Sequence, residues 1–384
     1  MNKFLFQTTP KLIFGQKLIN VLPEELIKTN ANSVFFVCDP AINKMSVFNE
    51  LLKILKAKKI KTTIYSNIKS DPDFENVDDA RDKIIEANPD IIIGIGGGST
   101  MDIAKVAAIT SKTGENARNI AESGIISKNK YALILIPTTA GTGSEVTHIS
   151  IFSDNSDQVK TGIVHPNLYA DLAILDPEIT LELPPTITAF SGIDALIHAL
   201  ESLTSNSATV FSALLAEEAL KIIYNNIVAA FENGKDIEAR SNMLYGSMLA
   251  GIAFANSSVA AIHAFAYPIG AKFHIPHGLA NSIMLMPVLK FNLENGLGKY
   301  SSVAKALGIE TKGKTEHEII NQVIFILDTL VDKLEINRKL KNYGVNASDI
   351  PELAKSVIKI TRLLSNNPRE INIKDAERLY LEAL

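Results

Sequence analysis

The chain has 384 residues, 46% of them hydrophobic and 21% charged, with a formal net charge of −4. That length suits two domains and that balance suits sizeable packed cores, while the absence of a basic block or arm argues against a nucleic-acid partner. Cys38 is the single cysteine, so no intrachain disulfide can form; with no apolar leader-like run at the N-terminus, a cytoplasmic location is expected.

The first half alternates short β-rich runs with helical patterns. Val34–Cys38 reads as a strand, Met45–Lys56 as a helix and Thr62–Ser66 as a strand. Val77–Ala87 reads as a helix stopped by Asn88-Pro89. Ile91–Ile95 and Ala132–Ile136 are short apolar runs of the kind expected for parallel strands covered on both faces, and Leu172–Leu175 is a further strand. Repeated strand–helix–strand units imply a parallel sheet with right-handed crossovers.

After Asp176-Pro177 the pattern turns helical. Ala189–Leu203, Val210–Phe231, Glu238–Phe254, Ser257–Ala266, Asn281–Leu293, His317–Leu334 and Ile350–Ile360 all carry helical periodicity. A boundary near Leu183-Pro184-Pro185 is therefore expected, with an α/β domain over residues 1–183 and an all-helical domain over 184–384. Residues 241–271 contain no Asp, Glu, Lys or Arg, but Asn, Ser, His and Pro interrupt them. A membrane span needs roughly 20 mostly apolar residues. A buried helix pair is expected instead, with no membrane partner.

Gly94-Ile95-Gly96-Gly97-Gly98-Ser99 joins a predicted strand to a predicted helix. Its bare backbone allows close approach of a diphosphate, and a helix N-terminus offers free amides and partial positive charge. Ser99 is placed as the N-cap, with Asp102 three residues on in a capping-box arrangement. The third glycine of a G-x-G-x-x-G pattern would fall at Ser99, so taken alone the cluster is equally a tight turn. A second small-residue loop, Pro137 to Glu145, follows the next strand, and ligands of open α/β sheets bind outside such strand ends. Asp39, closing the first strand, is suited to ribose hydroxyls and would repel a 2′-phosphate, which favours NAD over NADP.

Asp194 and His198 lie four residues apart in an apolar helical stretch, on one buried face. Alone, such a pair is more often a satisfied hydrogen bond than a metal site. His263 lies in the uncharged run, and His277 follows fourteen residues later. A continuous helix would hold those two about 21 Å apart. Pro268, Gly270 and Pro276 are expected to turn the chain back, so that both imidazoles reach one point. Three imidazoles and a carboxylate suit a first-row divalent ion, in either a closed structural zinc site or an open catalytic one. His148, His165 and His317 read as surface or locally bonded histidines.

Together these stretches resemble the iron-containing (group III) alcohol dehydrogenase family: GGGSTMDIAK from Gly96, PTTAGTGSEVT from Pro137, DPEIT from Asp176, LPPTITAFSGIDALIHALES from Leu183 and HAFAYPIGAKFHIPHGLAN from His263. The C-terminal NPREINIKDAERLYLEAL is similar to that family's ending, and the resemblance covers essentially the whole chain. It implies a dinucleotide-binding α/β domain, a helical domain and an active site in the cleft between them. It implies Asp194, His198, His263 and His277 as ligands of Fe(2+), with Zn(2+) as the other choice. It implies cofactor contacts at Asp39, Gly97, Gly98, Ser99, Asp102, Thr138, Thr139, Thr142 and Lys160, with NAD preferred, and a homodimer or larger homo-oligomer. Tyr267 stands where some relatives carry a further His, which leaves Tyr267 and His274 as candidates for proton transfer. Asp71 stands where some relatives have Asn.

The expected chemistry is metal-assisted hydride transfer between a small primary alcohol or diol, or its aldehyde or ketone, and NAD(H). The alternatives are a glycerol dehydrogenase-like polyol enzyme, a dehydroquinate synthase-like lyase and a non-catalytic nucleotide- and metal-binding protein. The lyase needs several Lys and Arg around the site, and Lys272 alone is not that set.

Overall fold

A computed structural model of the chain describes residues 3–154 and 159–384. They divide into two compact units. An α/β unit comprises Thr8–Thr139 and Gly143–Glu182; a helical unit comprises Leu183–Leu384, Ala140–Thr142 and the N-terminal piece ending at Gln7.

In the α/β unit the strands are β1 (Leu12–Phe14), β2 (Ser33–Cys38), β3 (Lys61–Tyr65), β4 (Ile91–Gly96), β5 (Ala132–Pro137), β6 (Ile149–Asp154), β7 (Val159–Val164) and β8 (Leu172–Leu175). Six of them form one parallel sheet in the order β1-β8-β5-β4-β2-β3. Its helices are α1 (Leu18–Lys28), α2 (Ser46–Ala57), α3 (Phe74–Ala87), α4 (Gly98–Thr113) and α5 (Ala117–Ser123). Successive strand residues face opposite ways. Phe35, Val37, Ile92, Leu133 and Leu135 enter a core with α3, α4 and α5, while Val34, Phe36, Ile93 and Ile134 enter another with α1 and α2. Burial on both faces is why the strands read as unbroken apolar runs. From β2 the chain goes out to β3 and then returns to β4 on the other side of β2. The order therefore reverses between β2 and β4, and the loops that follow them carry Asp39 and Gly97.

The parallel sheet expected from the sequence is present, but β6 and β7 lie outside it as an antiparallel ribbon that the strand–helix pattern did not announce. The cap of α4 differs too. Gly97, extended at φ −77 and ψ −172, is the N-cap, so Ser99 lies inside the first turn and donates its hydroxyl to Ser70 O at 2.8 Å. Asp102 turns away from the helix start and accepts from Ser144 Oγ at 2.6 Å and Ile151 N at 2.8 Å. These two acceptances by Asp102 tie α4 to the second small-residue loop and to β6. His148, expected as a surface or locally bonded histidine, is half-buried: among the described residues its Nδ1 is buried without a hydrogen-bond partner, and burial pushes the ring down to about 4.

The helical unit contains α6 (Pro185–Thr204), α7 (Val210–Glu232), α8 (Ile237–Ser257), α9 (Ala261–Phe273), α10 (His277–Leu293), α11 (Tyr300–Ala306), α12 (Glu316–Lys333), α13 (Ile350–Ile358), α14 (Thr361–Leu364) and α15 (Ile373–Ala383). Pro184 and Pro185 start α6, where a missing amide does no harm. Among the described residues, no single helix is long and apolar enough to cross a membrane; α8 and α9 pass that test only as a pair bent by 100°, and both are largely buried within their own unit. The bend displaces the helix expected from Ser257 to Ala261. Ser258 takes φ 63 and Ala260 is non-helical, so the first turn cannot begin earlier. A second correction concerns the return of the chain to His277. Pro268 and Gly270 lie inside α9, and the turn is made by left-handed His274 (φ 54) and by Pro276, the N-cap of α10.

Candidate active site

Asp194, His198 and Glu201 occupy positions i, i+4 and i+7 of α6, one face of the helix, and all three are buried. His263 is the third residue of α9, and His277 is the first of α10. These elements all belong to the helical unit. Asp194, His263 and His277 form a group whose candidate ligand atoms lie within 4.8 Å of one another. Asp194 Oδ1 stands 3.8 Å from His263 Nε2 and 3.7 Å from His277 Nε2. Such gaps are too wide for hydrogen bonds. They approach the ~3.4 Å edge of a tetrahedron whose ligands sit ~2.1 Å from a central ion. His263 Nε2 is buried without a hydrogen-bond partner. A buried orphan nitrogen facing a carboxylate at that distance is what a cation site leaves when its donors are considered alone. The donor set therefore fits a divalent ion.

His198 lies beside this group, its Nδ1 3.9 Å from Asp194 Oδ2. Its ring stacks on His263 with centroids 4.6 Å apart and on Phe254 at 4.4 Å. Its Nδ1 is 3.2 Å from the carbonyl of Gly141, which directs Nε2 elsewhere as the remaining ligand atom. Burial holds the His198 imidazole down to about 3, neutral and able to ligate. Burial also pushes the Asp194 carboxyl up, but the three imidazoles and the Asn281 amide more than offset it, and the group lies below the ordinary carboxylate range. Asn281 donates Nδ2 to Asp194 Oδ1 at 2.7 Å, and that nitrogen is 3.2 Å from His277 Nε2. Tyr267 lies within reach, its ring 6.0 Å from that of His277. His274 has an exposed ring and serves as the left-handed residue ending α9.

Glu201, Asn281 and Phe254 were missed in the sequence. The signal for Glu201 was its i+7 spacing from Asp194 within an otherwise apolar helix; for Asn281 it was the i+4 spacing from His277. Nothing local marks Phe254.

In the α/β unit, Asp39 follows β2, donates its amide to Ile95 O at 3.0 Å and accepts the Ala41 amide on Oδ1 at 2.8 Å. The amides of the first turn of α4, which includes Gly98 and Ser99, lack intrahelical acceptors. Thr138 is buried, and Thr139 lies 3.7 Å from where a Cβ on Gly97 would stand, so the space over Gly97 is open to a ligand. Glycine has a packing role at Gly94 and Gly96 instead, where a Cβ would strike Leu135 at 2.7 Å and Thr100 at 2.5 Å. Asp102 has both carboxylate oxygens engaged by protein donors and lies 3.4 Å from fully buried Lys105. Lys160, pushed down to about 8 by burial, donates to Ser153 Oγ at 2.9 Å and pairs with Asp71. Thr142 falls in the short segment that belongs to the helical unit.

Comparison with known proteins bears on this arrangement. Residues 9–177 match the model of iron-containing alcohol dehydrogenase, and residues 188–384 match the C-terminal model of the Fe-containing alcohol dehydrogenase family. The chain is 35% identical over 384 residues to a sulfoacetaldehyde reductase of Bilophila wadsworthia, covering 99% of this chain and 98% of that one. It is 33% identical to a 1-propanol dehydrogenase of Salmonella typhimurium, with 100% of both chains covered. The crystal structure of a 1,3-propanediol oxidoreductase superposes with a TM-score of 0.94 at 28% identity, again over 100% of both chains. The chain belongs to the iron-containing alcohol dehydrogenase family, oxidoreductases that act on CH–OH groups.

Proposed function

We propose that the chain is an NAD-dependent dehydrogenase of small primary alcohols or diols, working equally as a reductase of the matching aldehydes. The observation that carries this is the orphaned His263 Nε2, which faces Asp194 Oδ1 at 3.8 Å beside His277. Asp194, His263 and His277 would hold the ion, with His198 as the fourth ligand; Fe(2+) is the first choice and Zn(2+) the second. When bound, the ion supplies Lewis-acid polarisation of the substrate oxygen, and the nicotinamide accepts or returns the hydride. The chain's own residues prepare for this. Burial keeps His198 neutral, Asn281 holds Asp194 in place, and the stacked Phe254 shields that side of His198 from water.

For the cofactor, we assign the diphosphate to the Gly97, Gly98 and Ser99 turn, with Thr138, Thr139, Thr142 and Lys160 as further contacts. Asp102 acts indirectly, by tying the two loops together. Asp39 favours NAD, and Asp39→Ser should narrow the NAD:NADP ratio of kcat/KM by about tenfold, the equivalent of one removed like-charge repulsion of ~1.4 kcal/mol. Tyr267 is the nearer candidate for proton transfer, and His274 the more remote. A homo-oligomer is supported by the apolar surface of Leu5, Phe211 and Leu214, which are 73%, 53% and 64% exposed. Light scattering on the purified chain would check that reading.

The test is NAD reduction by chelated protein reloaded with Fe(2+) or Zn(2+), over a panel that includes 1-propanol, 1,3-propanediol and 2-hydroxyethanesulfonate. Activity on neutral alcohols that needs the ion and vanishes in His263→Ala is expected. No turnover with any alcohol or aldehyde, metal restored, would sink the enzyme reading; a rate confined to the sulfonate would overturn the neutral-substrate reading.

A further inference from the structure

Glu201 lies three residues after His198 on α6 and is 2% exposed. Its carboxylate faces donors from one short segment. Oε2 accepts from Ala260 N at 2.9 Å, Oε1 accepts from Ile262 N at 2.6 Å, and His263 Nδ1 stands 2.6 Å from Oε2. A buried carboxylate is costly unless such donors surround it. An ionised carboxylate only accepts, so the ring nitrogen facing it carries the proton. His263 is then the Nδ1–H tautomer. Its lone pair lies on Nε2, the buried nitrogen that has no hydrogen-bond partner.

The same carboxylate solves a second local problem. Helix α9 begins after Ser258, whose φ is positive, and its N-cap, Ala260, has no side-chain oxygen to receive the first amides. Glu201 provides one from another helix and places negative charge at the positive end of α9. One group therefore sets both where α9 starts and which way its third residue, His263, presents its lone pair.

We propose that Glu201 is a positioning residue of the cation site: it caps α9 from outside, fixes the His263 tautomer and thereby sets the affinity of the site for a divalent ion. The inference rests on the reading of Asp194, His263 and His277 as a cation site and is independent of the alcohol reaction. Glu201→Gln tests it because an amide cannot satisfy the same donors. Either its nitrogen faces Ile262 N–H and a bond is lost, or it faces Ala260 and His263 and drives the ring to the Nε2–H form, which blocks coordination.

The experiment uses chelated full chain as wild type, Glu201→Gln and Glu201→Asp, titrated with Zn(2+) against a chromophoric chelator, with the unfolding temperature of each apo form recorded. Long-range ¹⁵N–¹H spectra of histidine-labelled apo wild type, assigned with His263→Asn, report the tautomer. The expected results are an Nδ1–H His263 in apo wild type and Zn(2+) binding weakened about 10- to 100-fold in Glu201→Gln. The apo unfolding temperature should fall by a few degrees, as the loss of one buried capping hydrogen bond requires, and Glu201→Asp should recover part of the affinity. An Nε2–H tautomer in wild type, or Glu201→Gln affinity within about threefold of wild type, would overturn the proposal. If Glu201→Gln fails to fold, the wild-type tautomer decides alone. Wild type that binds Zn(2+) as expected but oxidises no alcohol would defeat the proposed function and leave this inference standing.

Discussion

Glu145 and His198 show how burial outweighs neighbouring groups in setting charge in this chain. Burial pushes the Glu145 carboxyl up to about 7, against the pull of nearby Lys105, and its Oε1 is buried without a hydrogen-bond partner. Burial pushes His198 down to about 3, so at neutral pH the ring is uncharged. The sign for Glu145 follows from linkage. Its folded value exceeds the unfolded one near 4.5, so the folded chain holds the extra proton between those values. The stability it contributes is complete below the unfolded value and is lost as pH rises through about 7. Glu145→Gln removes that loss. The difference in unfolding free energy between variant and wild type should grow in favour of the variant by about 2–3 kcal/mol from pH 5 to pH 8. Urea unfolding of both proteins across that range checks it; a difference that stays flat or reverses would show that Glu145 is ionised in the folded state throughout. His148, pushed down by burial, acts with the opposite sign over the acid range and is present in both proteins, so it cancels in the comparison.

Helices α6 and α10 cross where Gly278 meets Phe190. A Cβ on Gly278 would lie 2.3 Å from the Phe190 carbonyl oxygen, a backbone atom that cannot swing aside. Gly278→Ala must push the two helices apart. A destabilisation of about 1–3 kcal/mol is expected from overpacking of this kind. Because α6 carries Asp194 and α10 carries His277, the same substitution should weaken Zn(2+) binding. Urea unfolding and a chelator competition measure the two effects; unchanged affinity together with lost stability would mean that the site tolerates the displacement. The break between α8 and α9 has a comparable consequence, since it is the step at Ser258 to Ala260 that points His263 inward.

At the scale of the molecule, the ion is proposed for the helical unit and the diphosphate for the glycine turn of the α/β unit. A ligand that binds only the folded state stabilises it by about 2.7 kcal/mol at 100 times its Kd. Zn(2+) or Fe(2+) should therefore raise the Tm of the chelated protein. Asp194→Ala, which removes the carboxylate facing two imidazoles, should abolish that rise yet keep the rise produced by NADH. Differential scanning fluorimetry with each ligand separates the two. Loss of both shifts would indicate that Asp194 supports the folding of the chain rather than the ion.

Much of the fold was legible in the sequence, because strands buried on both faces leave apolar runs and amphipathic helices leave a 3.6-residue period. β2, β4, β5 and β8 were placed within a residue or so of their ends, as was α7. The antiparallel β6–β7 ribbon was not, since neither strand forms such a run. Asp194 and His198 could be set on one helix face from their spacing alone. The return of the chain between His263 and His277 was anticipated from its prolines and glycine, and Pro276 takes part in it, but the local pattern did not show that left-handed His274 makes the turn or that Ser258 takes a positive φ, conformations neither residue type signals. The role open to Glu201 depends on a contact between residues 62 apart in the chain. Periodicity is a property of neighbours along the chain, and it determined the elements; the groups on which the proposed cation site rests, from α6, α9 and α10, meet only when three helices pack, and that meeting was decided by the tertiary structure.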